Sequence, residues 1–168
     1  FYHTNIIKYC DRPFKSVDHM NEEIIRRYNE LVRPDDLGYH LGDFSMSFKN
    51  VEQLSQRLMG RKILIPGNHD ACSSLFRHRG KVTSKDYEDI GFEQVVEESY
   101  IDLELAGKIR KVKLCHLPYA PDLSEHEDKR YLSKRPKNDG GLLFHGHIHT
   151  AFKFNEQKTT QAAALFLK

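Results

Sequence analysis

An α/β or α+β sandwich is the fold class this sequence predicts, on three observations. Helical periodicity is concentrated early in the chain and short apolar runs follow it. Several of those runs are bounded by Gly, Pro or Asn. At 168 residues the chain has the length of one ordinary domain and can bury a real core without cross-links.

The elements follow in order. Residues Ser16–Val32 carry Met20, Ile24, Ile25, Tyr28, Leu31 and Val32 on one stripe, with Ser16 or Asp18 as cap. Arg33-Pro34-Asp35-Asp36 ends that helix. Asn50–Leu58 reads as a second helix, with Val51, Leu54 and Leu58 inward and Gly60 as its stop. Ser84–Ile90 is a short third. Strands are expected at Leu37–Leu41, Lys62–Pro66, Val95–Val96, Tyr100–Leu105, Ile109–Cys115 and Leu142–Phe144, with a hairpin turn at Ala106-Gly107. Pro121–Gly141 is polar and without apolar period, so it reads as a long surface loop. Lys158–Lys168 reads as a helix or an irregular end.

Composition narrows the function classes. Hydrophobic residues make up 39% and charged residues 30%, which fits a soluble globular protein and not a disordered one. The net charge of +2 excludes a strong polyanion-binding field, though not a local basic patch. No run reaches a membrane span, and the N-terminus shows no signal-peptide core. Three cysteines make a disulfide framework improbable and point to a reducing, cytoplasmic compartment.

Four of the strand-like runs end in metal-competent side chains. Leu37–Leu41 leads to Gly42-Asp43, and Lys62–Pro66 to Gly67-Asn68-His69-Asp70. Ile109–Cys115 leads to His116, and Leu142–Phe144 to His145-Gly146-His147-Ile148-His149. Sites in open α/β sheets form beyond the carboxyl ends of strands, so four loops could deliver Asp, Asn and His to one place. Imidazole nitrogen with carboxylate and amide oxygen suits Mn²⁺, Fe²⁺ or Zn²⁺. The set contains no thiolate, which disfavours a structural zinc finger.

In these motifs and their order the chain resembles the calcineurin-like metallophosphoesterases of the small bacterial and phage type. The resemblance runs from Phe1 to about Phe154 and includes Phe1-Tyr2-His3-Thr4-Asn5-Ile6-Ile7. It implies a four-layer α-β-β-α sandwich, two mixed sheets flanked by helices, with two divalent metals between strand-end loops. Mn²⁺ leads the candidates, with Fe, Zn or Ni as others. Asp43 would bridge the metals, Asn68, His116 and His147 would complete one site, and His149 would belong to the other. His69 would act as acid or transition-state stabiliser, oriented by an ion pair with Asp70. The family's first motif, Asp-x-His, would lie just before Phe1, so a first strand is expected upstream of this single domain.

The implied reaction is hydrolysis of a phosphomonoester or phosphodiester, a nucleotide among them, by a hydroxide between two metals. His3, Asn5 and Arg12 are candidate substrate contacts. His40 and His145 read as packed strand histidines, or as groups orienting a ligand. His19, His78 and His126 read as exposed, and Cys115 as a small buried hydrophobe. Two basic stretches, Lys108–Lys113 and Lys129–Lys137, read as solvated, although the second could meet a nucleic-acid backbone. The competing readings are a scaffold of the same fold without catalysis and a phosphatase or phosphodiesterase acting on nucleic-acid ends. No membrane partner is expected.

Overall fold

The computed structural model describes residues 1–76, 81–120, 129–149, 154–155 and 160–162. Among the described residues there are four α-helices: α1 (Thr4–Tyr9), α2 (Val17–Leu31), α3 (Val51–Arg57) and α4 (Ser84–Asp89). The strands are β1 (Leu37–His40), β2 (Arg61–Leu64), β3 (Gln94–Val95), β4 (Glu98–Leu105), β5 (Lys108–Cys115), β6 (Leu142–His145), β7 (Phe154–Asn155) and β8 (Thr160–Ala162). Short 3-10 turns cover Phe48–Asn50 and Lys129–Lys134.

Helix α2 forms where its stripe predicts. Ser16 caps it by accepting the His19 N–H at 3.1 Å. Arg26 pairs with Glu23 and Glu30, and Arg27 with Glu23, along its exposed side. Met20, Ile25 and Tyr28 are buried beneath. Helix α4 starts on a capping box between Thr83 and Asp86.

The strands make two small sheets. One is β1-β2-β3, parallel throughout, with Leu37–His40 in register with Arg61–Leu64. The other has order β4-β5-β6-β8-β7 and is mixed. Two mixed sheets were expected; the smaller one is parallel because α3 and α4 carry the chain back between its strands.

Period-two alternation assigns each face. Leu64 and Val95 turn toward the helices, joining Ile25, Tyr28, Val51, Leu54, Tyr87, Phe44 and Phe92. Their chain neighbours turn the other way. Ile65 and Leu41 pack with Val112, Leu114 and Phe144 between the sheets. The chain is therefore a mixed α/β protein with helices, a three-stranded sheet and a five-stranded sheet in successive layers. Burying each large side chain of these clusters stabilises the fold by about 1.5–3 kcal/mol.

Several expectations change. Helix α1 falls in a stretch the periodicity does not mark, because six residues are too few to show a stripe. Thr160–Ala162 is a strand paired with β6, not part of a helix; the rest of 158–168 lies outside the described residues. Pro121–Gly141 is not simply a surface loop. Its neck is closed by the Ala120 N–H donating to the Pro136 carbonyl at 3.0 Å and by an Ala120–Lys137 bridge. Arg135 within it is buried, against the solvated reading of the basic stretch. Residues 121–128 lie outside the described residues, as do His78 and His126. Among the described residues no helix is long and apolar enough to cross a membrane.

Candidate metal centre

Four chain segments meet at the C-terminal ends of β1, β2, β5 and β6. The first turn after β1 holds Gly42 and Asp43, both left-handed, at φ 86° and 53°. His147 and His149, after β6, are also left-handed, at φ 67° and 52°. Non-glycine residues pay for that conformation, and three of the six described residues that adopt it belong to this cluster. Gly67 must be glycine because a Cβ there would lie 2.5 Å from the Asp43 backbone nitrogen. The two loops thus touch backbone to backbone.

Asp70 locks them together. It is fully buried, and its carboxylate accepts the N–H groups of Asp43 at 2.8 Å, Phe44 at 3.0 Å and Gly67 at 2.8 Å. This corrects the ion pair expected with His69: three backbone amides occupy the carboxylate. Burial raises the Asp70 pKa above the usual carboxylate value. Asp43 Oδ1 accepts the His69 N–H at 2.9 Å, which ties the second loop to the first once more.

Ligand-competent atoms converge above this frame. Asp43, His116 and His147 each place one such atom within 4.8 Å of the others. His116 Nδ1 lies 2.7 Å from the Leu41 carbonyl. A carbonyl only accepts, so the neutral ring carries its proton on Nδ1 and its lone pair on Nε2. That Nε2 faces Asn68 Oδ1 at 3.2 Å and Asp43 Oδ1 at 3.6 Å, two further acceptors. His147 Nδ1 lies 2.8 Å from the same Asn68 oxygen. His116 and Asn68 are buried; Asp43 and His147 are half-buried. Converging lone pairs on a buried imidazole, an amide and a carboxylate fit a divalent cation.

The remaining predicted site residues sit around this cluster. His3 caps α1 by accepting the Ile6 N–H on Nδ1 at 3.1 Å. Its neutral ring therefore presents Nε2–H as a donor. Burial, with His69 and His149 beside it, holds the His3 pKa below the ordinary value. The His3 ring is 6.1 Å from that of His69 and 6.2 Å from that of His149. His149 is exposed, stands outside the triad, and has its pKa lowered mainly by desolvation. Arg12 is half-buried, donates toward Met20 Sδ at 3.6 Å, and its charge reaches His149. Asn5 is exposed on α1.

Two contributors were not anticipated. The Leu41 carbonyl carries no side-chain signal. Tyr131, in the Lys129–Lys134 turn, meets the His147 ring edge-on at 5.6 Å. Behind the cluster, burial lowers the pKa of both His40 and His145 to about 4. His19 is exposed, as expected, and Cys115 is half-buried beside the cluster.

Fold and site together define a mixed α/β protein with a candidate metal centre of Asp, Asn and two His at strand ends. The chain is 44% identical over 80 residues to the uncharacterized protein MJ1445 of Methanocaldococcus jannaschii, 46% of each chain being covered. It is 30% identical over 142 residues to the gene 66 protein of Mycobacterium phage L5, covering 80% of this chain and 66% of that one. The chain thus spans about half of the archaeal relative and 66% of the phage one. Among solved structures it is similar to the protein of unknown function AQ665 from Aquifex aeolicus, with TM-score 0.56 and 26% identity over 95% of this chain and 77% of that one. No protein-family model matches the chain.

Proposed function

We propose that this protein is a metal-dependent phosphoesterase of the calcineurin-like type, with the four-layer sandwich of that class. The observation that carries the reading is the position of His116 Nε2. With Nδ1 committed to Leu41, it directs a lone pair at the oxygens of Asn68 and Asp43, an arrangement that a shared cation would reconcile. Asp43, Asn68, His116 and His147 would hold one divalent cation. Asp43 and His149 would contribute to a second. Such ions would neutralise a phosphate oxygen and supply a water made nucleophilic near neutral pH.

The chain's own groups have separable tasks in this reading. His3 offers a donor at Nε2, and Arg12 a fixed positive charge, on the side of the cluster where His149 is exposed. Both suit phosphate oxygens. The His69 ring stands next to His3, and its backbone is fixed by Asp43. It would donate a proton to the departing alkoxide or a hydrogen bond to a charged equatorial oxygen. Asp70 acts at one remove, by fixing the loops that carry Asp43 and His69.

Metal analysis of the protein, with Mn²⁺ added and assays on one generic monoester and one generic diester, tests this. Bound metal and turnover of either ester are expected. His69→Ala should keep the metal and lose roughly 10²–10⁴ in kcat. A protein with neither metal nor turnover would be a scaffold instead.

A further inference from the structure

We propose that the Lys129–Lys134 turn closes a leaving-group subsite for a nucleoside, so that nucleoside phosphates are the preferred substrate class of the metal centre. This rests on the phosphoesterase reading above and extends it.

The turn reaches the centre at two points. Tyr131 stands edge-on to His147, and the His147 ring in turn stands edge-on to His116 at 5.2 Å. The three rings make an aromatic wall that runs from the turn to the buried ligand. Lys134, at the end of the same turn, lines a cavity of about 240 Å³. Pro66, Leu75 and Leu117 give that cavity apolar surface, His116 links it to the metal centre, and Glu97 supplies acceptor oxygens. Glu97 is held there by the Ser74 N–H, which donates to it at 3.1 Å.

The chemistry of that cavity selects its guest. A nucleobase is flat, mostly apolar on its faces and lined with donors and acceptors on its edge. Apolar walls, the flat ring of His116, a carboxylate for amino or imino donors and an ammonium for ring nitrogens or carbonyls match each feature. An aliphatic alcohol as leaving group would use none of them. A glycerol- or sugar-type ester would still reach the metal centre but would gain nothing from the turn.

The turn is also anchored well enough to act as a wall. The strand-like neck at Ala120 and Lys137 closes its base. Tyr119, buried, donates its hydroxyl to Asp139 at 2.9 Å just beyond the neck. Asp139 also accepts the Gly141 N–H at 2.9 Å, which leads directly into β6 and the His147 loop.

Binding measured by calorimetry tests the subsite without depending on turnover. The probes are adenosine 5′-monophosphate, ribose 5-phosphate and inorganic phosphate, each added to the Mn²⁺-supplemented full chain. The mononucleotide is expected to bind at least about tenfold more tightly than ribose 5-phosphate, with Tyr131→Leu and Lys134→Ala each reducing that ratio, and Lys134→Ala doing so with inorganic phosphate affinity unchanged. Equal affinity for the two esters in the wild-type chain would overturn the subsite, as would a ratio untouched by both substitutions. Hydrolysis of p-nitrophenyl phosphate, run in parallel, separates the two readings. Turnover without nucleoside preference removes the subsite alone, and nucleoside preference without turnover removes the esterase reading and leaves a nucleotide-binding cavity in place of a leaving-group subsite.

Discussion

His116 and Leu41 follow strands of different sheets, yet the imidazole Nδ1 of one sits 2.7 Å from the carbonyl of the other. Leu41 follows β1 of the parallel sheet and His116 follows β5 of the mixed one. One hydrogen bond therefore joins the layers and sets the ring's tautomer.

That double role makes His116→Ala costly in two measurements. Mn²⁺ affinity should fall by at least about a hundredfold, since even partners of a ligand are worth 10–100-fold. Stability should fall by about 1–3 kcal/mol, because the buried Leu41 carbonyl loses its donor. His147→Ala, at a half-buried position, should show the first loss with little of the second. Titration calorimetry and urea unfolding of both variants separate the effects. Wild-type Mn²⁺ affinity in both would remove these residues from the ligand set.

Asp70 is expected to behave as a structural keystone. Asp70→Ala strands three amides, those of Asp43, Phe44 and Gly67. Each stranded buried group costs about 1–3 kcal/mol, partly recovered if water enters. A loss of about 3–5 kcal/mol is expected, with Asp70→Asn intermediate because its amide oxygen still accepts. Denaturant midpoints close to wild type would show that the loops hold together without it.

Gly67→Ala tests the backbone contact between the same loops. The added methyl would meet the Asp43 nitrogen at 2.5 Å, and backbone cannot swing aside as a side chain can. A stability loss of about 1–3 kcal/mol and a weakened Mn²⁺ site are expected together. A variant crystal structure with both loops unmoved would contradict the tight packing.

The three helices with visible periodicity and the six strand cores were legible, because burial on one face leaves a period in the sequence. The strand-end motifs were legible because all of them occur in one order along the chain; Asp or Asn beside glycine is by itself ordinary turn chemistry. What failed to show depends on tertiary placement. Nothing in Gly-Asn-His-Asp says that Asp70 turns inward to three amides while His69 turns outward. Tyr131 sits in a polar stretch with no period, and its relation to His147 exists only once the neck at Ala120 closes. Helix α1 is capped by a histidine, which sequence rules do not treat as a helix start.

The last expectation concerns acid. His40 stacks on Tyr28 at 5.6 Å, and its ring stands edge-on to Phe44 at 5.2 Å and Phe92 at 6.2 Å. Its Nε2 is sealed from solvent and meets no hydrogen-bond partner among the described residues. Burial therefore favours the neutral ring, with Lys62 adding to the effect, and lowers the pKa from 6.5 to about 4. Below pH 6.5 the unfolded chain takes up a proton that the folded chain refuses until about pH 4. The unfolded state then binds more protons, so stability rises with pH across that window. The contribution is fully present above pH 6.5 and is lost as pH falls toward 4, by roughly 3 kcal/mol in all. His40→Leu removes the titration while keeping an apolar side chain. Urea unfolding at pH 7 and pH 4.5 should show a smaller acid loss in the variant than in the wild type. Some loss should remain in both, because His145 is shifted in the same direction. Equal losses in the two proteins would mean that His40 takes up its proton as readily folded as unfolded.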